Sequence, residues 1–67
     1  MGFVVKATSH RGRALWISRP GIDGLRALVP RERADVFETE ADAHVAIGKM
    51  HRVFNGMGYI FAVEVAD

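Results

Sequence analysis

The longest periodic stretch of the chain runs from Thr39 to Phe54, where Ala43, Ala46, Ile47, Met50, Val53 and Phe54 recur at spacings of three and four. On a helix these positions gather into one apolar stripe. The pattern predicts a single substantial helix, and its ends carry matching signals. Thr39 can cap the free amides of the first turn, and Asp42 three residues later approximates a capping box. Glu40 and Asp42 place negative charge at the positive end of the helix dipole, while Lys49 and Arg52 place positive charge toward the other. Asn55-Gly56 tolerates a left-handed backbone and predicts the stop.

Elsewhere the period changes to two. Phe3 to Thr8 is rich in β-branched and aromatic residues and predicts a strand. Ser9-His10-Arg11-Gly12 reads as a turn, and Arg13 to Ser18 as a second strand closing a hairpin. An even-length loop pairs Thr8 with Arg13 and Val5 with Trp16. That register sorts Phe3, Val5, Ala7, Ala14, Trp16 and Ser18 to one side and Val4, Lys6, Thr8, Arg13, Leu15, Ile17 and Arg19 to the other. The Trp16 side, with large aromatics and no charge, is expected to meet the helix.

Pro20-Gly21 and Asp23-Gly24 are successive turn signals, after which Leu25 to Val29 predicts a short third strand ended by Pro30. Pro30 to Ala34 predicts one helical turn with proline first, and Phe37 a buried position beside the long helix. Tyr59 to Val65 is the strongest strand. Its Tyr59, Phe61, Val63 and Val65 point one way, and Ile60, Ala62, Glu64 and Ala66 the other. The order β-β-β-α-β predicts an α+β domain: a small antiparallel-rich sheet with one helix packed on one face. Placing the last strand beside the first gives the spatial order 4-1-2-3 and brings Glu64 near Lys6.

Composition narrows the class. With 67 residues the chain has room for one domain spanning residues 1–67. Chains of this size bury only roughly 60% of the surface their unfolded form exposes, so one layer of core must suffice. An apolar content of 49% argues against disorder. The absence of cysteine rules out disulfides, thiolate metal sites and thiol redox chemistry. No apolar run approaches the roughly 18 residues of a membrane span, and Phe3-Val4-Val5 is too short for a signal core, so a cytoplasmic protein without membrane contact is expected.

Net charge is +1, but its distribution is uneven. Arg11, Arg13, Arg19, Arg26, Arg31 and Arg33 fall before Ala34, whereas Asp35, Glu38, Glu40 and Asp42 follow without an intervening Lys or Arg. Helix capping accounts for the acidic run, and the basic half is the better clue to a partner. Because one helix roofs only one side of a sheet, the other side is expected to show Val4, Leu15, Ile17, Ile60 and Ala62, rimmed by Lys6, Arg13 and Arg19. An apolar patch with a cationic rim suits a partner site. Arg13, Leu15, Ile17 and Arg19 are the candidate contact residues, with Arg26 and Arg31 as flanking charge. Two such sheets stacked face to face would form a homodimer.

Catalytic and cofactor chemistry is poorly represented. His44 and His51 stand two helical turns apart, about 10 Å, too far to share one ion. Ser9-His10 has no orienting acid placed by the sequence. Gly21 and Gly24 lack the helix start and Lys-Ser/Thr pair of a phosphate loop. No enzymatic activity, cofactor or metal is expected. A nucleic-acid-binding role through the basic hairpin is the alternative. Against it stand a pI of about 8.3, the missing RNA-recognition string, and aromatics assigned to the helix side.

The run Val36-Phe37-Glu38-Thr39, followed by Ala41, Ala43 and Ala46-Ile47, resembles a strand-into-helix junction of many small bacterial and phage proteins. In size, cysteine-free composition and single-layer architecture the chain is similar to phage-encoded inhibitors of bacterial defence systems. The resemblance is one of format, and it implies a binding module, inhibitor or adaptor that blocks a larger protein by occupying its surface. It carries no residue over.

Overall fold

A computed structural model describes residues 2–53 and 58–66, with Arg52 and Val53 described by their backbone alone. The strands are β1 (Gly2–Thr8), β2 (Ala14–Ile17), β3 (Leu28–Val29) and β4 (Ile60–Ala66); the helix is α1 (Glu40–Val53). They form one antiparallel four-stranded sheet in the order β3-β2-β1-β4, with α1 packed on β1 and β4. This is the expected α+β architecture and strand order. Thr39 caps α1 by accepting the Asp42 N–H at 3.1 Å. The helix stop at Asn55-Gly56 and the Phe54 end of the stripe lie outside the described residues.

The first hairpin departs from expectation in one respect, with large consequences. Its register is Lys6↔Trp16, Ala7↔Leu15 and Thr8↔Ala14, one residue from the predicted pairing. The cause is the loop. Gly12 N–H donates to Ser9 O at 2.8 Å, closing a turn over His10 and Arg11, and Ser9 N–H donates to Arg13 O at 2.9 Å. Gly12 takes φ +84°, a left-handed conformation open to glycine at little steric cost. The loop therefore has three residues rather than four, a turn followed by a left-handed bulge. A slip of one residue moves every side chain of β2 to the opposite face.

Leu15 and Ile17 accordingly share the helix-side face with Phe3, Val5 and Ala7, and Trp16 lies on the open face with Val4 and Lys6. Ile17 is completely buried in a cluster with Val5, Ala43, Ala46 and Met50, against which Phe3, Leu28, Phe37, Ile47, Phe61 and Val63 pack. Burying an isoleucine or valine completely contributes about 1.5–3 kcal/mol, so this cluster holds helix to sheet. The expected apolar patch carrying Leu15 and Ile17 does not exist, because both side chains belong to the roofed side.

Two further corrections follow from turns. Gly24 N–H donates to Gly21 O and Gly21 N–H to Leu25 O, repeating the three-residue loop with Gly24 at φ +79°. That turn consumes Leu25, so the β3 ladder begins only at Leu28. After a 3-10 turn at Arg31–Arg33, residues 34–37 run back between β1 and β2 where these part. Ala34 bridges Ser18, and Phe37 bridges Phe3 with reciprocal bonds of 2.8 and 2.7 Å. This inserted segment brings Asp35, Val36 and Phe37 to the mouth of the core.

Candidate functional site

A groove of about 470 Å³ opens between the β2–β3 loop and the first turns of α1. Its floor is built by the inserted segment. Asp35 is fixed by its N–H donating to Ile17 O at 2.9 Å, and its carboxylate receives Arg26 Nη1 at 2.6 Å. The same nitrogen donates to Ser18 O at 3.0 Å, and the guanidinium lies 5.1 Å from the Phe37 ring centroid. Arg26 and Asp35 are 18% and 17% exposed, so their pairing is far less screened by water than a surface ion pair. Arg26 is thus a structural strut rather than a free flanking charge.

The walls differ in character from the floor. Val36 and Val45 line the groove while 57% and 60% exposed, and Glu38, Asp42 and Lys49 complete the rim. Once Arg26 and Asp35 have neutralised each other, the two acids outnumber Lys49. Leu25 borders a smaller recess beside Lys49 and Met50 and is also exposed. Among the described residues, no serine, threonine or histidine lines the main groove. Ser9 is employed elsewhere, its Oγ accepting the Arg13 N–H at 3.1 Å within the first loop.

The candidate residues from the sequence are scattered by the fold. Arg19 and Arg26 converge on Asp35, although Arg19 remains 84% exposed with its Nε 3.7 Å away. Arg13 is exposed where it closes the first hairpin loop opposite Ser9, and Arg31 donates to Val65 O at 3.3 Å. Ile17 is fully buried, which withdraws it from any partner, and Leu15 is half-buried on the helix side of the sheet instead of the open face.

What replaces them on the open face is Trp16. Its Nε1 donates to Glu64 Oε1 at 3.3 Å, and Lys6 Nζ stands 3.8 Å from the other carboxylate oxygen and 6.0 Å from the indole centroid. Glu64 lies near Lys6, as the placement of the last strand required. The signal that could have put Trp16 there is Gly12, whose preference for a left-handed position favours the odd loop.

Among the described residues, no group of three His, Cys, Asp or Glu side chains could hold a metal ion, and no helix is long and apolar enough to cross a membrane. His51 instead sets its ring edge-on to Phe61, at 5.0 Å between centroids. Comparison of the chain with protein-family models, curated proteins and solved structures yields no match in any of the three.

Proposed function

We propose that the chain is a non-enzymatic protein-binding module that takes a segment of a partner into the groove between the β2–β3 loop and α1. The supporting observation is the groove's mixed construction: exposed Val36 and Val45 beside a charged floor already neutralised by its own ion pair. Apolar walls supply desolvation on binding, and a preorganised floor needs little rearrangement. The surplus of Glu38 and Asp42 over Lys49 suits a short apolar segment carrying lysine or arginine. Action by occupancy, as an inhibitor or adaptor, requires nothing more of so small a domain.

A displayed peptide library panned against the folded chain tests this. Enrichment of apolar segments with adjacent basic residues is expected, and Val45→Glu, on the exposed face of α1, should abolish it with an unchanged circular dichroism spectrum. Enrichment that survives Val45→Glu, or no enrichment at all, would overturn the proposal.

One observation favours a second reading. Trp16 lies on the open face beside Lys6, where a base could stack, instead of under the helix. Glu64 works against it, since its carboxylate occupies the indole N–H and repels phosphate. Titration with a labelled oligonucleotide at two salt concentrations separates the readings. Binding with a steep salt slope would favour nucleic acid.

A further inference from the structure

The two edges of the sheet are built differently. The β3 edge is two residues long and ends at Pro30, which has no N–H to offer. Short edge strands and proline are common guards against strand addition. The β4 edge is seven residues long, Ile60 to Ala66, and contains no proline, lysine or arginine. Its one charge, Glu64, is engaged by Lys6 and Trp16 on the open face.

The free backbone groups of this edge can be assigned from the register. Phe3 exchanges both hydrogen bonds with Phe37, so the odd residues of β1 direct their N–H and C=O groups toward β2. The even residues of β1 therefore bond to β4, and pair with its even residues. Alternation leaves the N–H and C=O of Phe61, Val63 and Val65 pointing outward. Arg31 reaches one of them, Val65 O, and that carbonyl keeps a second lone pair.

We propose that a second copy of this chain occupies the edge, pairing β4 antiparallel with β4 about a two-fold axis at Val63 to make one continuous sheet. Self-pairing is favoured by the sequence of the strand. In this register Val63 meets Val63, and Phe61 meets Val65 in both directions, so every outward residue is matched. The exposed Val65 gains an aromatic neighbour, and Ile60 faces Ala66; Ile60 and Val65 are 70% and 54% exposed in the single chain. A shift of one residue on each strand toward the C-terminus would set Glu64 directly against Glu64, an unfavourable like-charge pair. The shift in the other direction leaves Val65 without a partner inside β4. The two-fold at Val63 is the register that avoids both. It differs from a dimer made by stacking open sheet faces, which would bury Trp16 instead.

The test uses the intact chain over a wide range of concentration. Sedimentation velocity should show the mass rising from one copy to two, and the amides of Phe61, Val63 and Val65 should exchange more slowly as it does. Because the chain lacks cysteine, single substitutions report the register. Val63→Cys should cross-link to itself under mild oxidation, since paired Cα atoms in such a ladder stand about 5.5 Å apart. Ile60→Cys should cross-link far more slowly, its counterpart lying about 20 Å away along the strand. A chain that stays monomeric throughout would overturn the proposal. So would a dimer in which those three amides exchange unchanged, or one in which Ile60→Cys cross-links faster than Val63→Cys.

Discussion

Trp16 Nε1 donates to Glu64 Oε1 across 3.3 Å, although β1 lies between the strands that carry them. To make this bond the indole must cross β1. Val4, which pairs with Glu64, is 3% exposed despite lying on the side of the sheet that no helix covers. Trp16, Lys6 and Glu64 thus form a connected group on the open face, the side of the sheet to which Val4 also belongs. Replacing Trp16 with Phe keeps most of the ring and removes the donor, which should cost about 0.5–1.5 kcal/mol. Glu64→Ala should cost a similar amount, and the double mutant less than the sum. Urea denaturation of the four proteins reads the coupling directly.

Ile17→Ala should destabilise the domain by about 2–5 kcal/mol, because the cluster around it cannot collapse into the space left. Small domains hold roughly 0.05–0.15 kcal/mol per residue in all, so this change approaches the whole stability of the chain. Loss of the cooperative thermal transition in circular dichroism is the expected result. Arg13→Ala, at an exposed position closing the hairpin loop, should leave the transition within about 0.5 kcal/mol of wild type.

Gly12→Ala isolates the loop. A Cβ at this position would touch nothing within 4 Å, so its effect is confined to the backbone at φ +84°. The expected cost is about 1–2 kcal/mol, the penalty for placing an L side chain in the left-handed region. A loss near zero in chemical denaturation would mean that the loop does not hold this conformation.

Asp35→Ala removes the partner of a guanidinium that is itself largely withdrawn from water. The expected loss is about 1–3 kcal/mol, below that of a fully buried pair because both groups keep some solvent contact. Arg26→Ala should fall in the same range, while Arg19→Ala should cost no more than about 0.5 kcal/mol. Equal effects for Arg19 and Arg26 in denaturation would contradict the assignment of Arg26 as the strut.

The helix and strand order were legible because their signals are local or repetitive. The Thr39 cap, the three-and-four spacing from Ala43 to Met50, and the alternation from Ile60 to Ala66 each specify a side chain's environment directly. The face of β2 was not legible from its own alternation, since Ala-Leu-Trp-Ile accepts either parity. One residue in the loop decides it, and the stretch from Ser9 to Arg13 can be closed over four or three residues by the same composition. The groove was hidden for another reason. Asp35 and Arg26 read as ordinary surface charges until the segment 34–37 is seen to run back between β1 and β2, a long-range event with no signature in spacing.

Everything assigned to the open face and to the core depends on that parity, and the chain is small enough for nuclear Overhauser measurements to read it. Cross-peaks are expected from the Trp16 indole to the Val4 methyls and Glu64, and from the Ile17 methyls to Ala46 and Met50. Cross-peaks from the indole to Ala46 and Met50, with Ile17 free of the helix, would contradict the structure described.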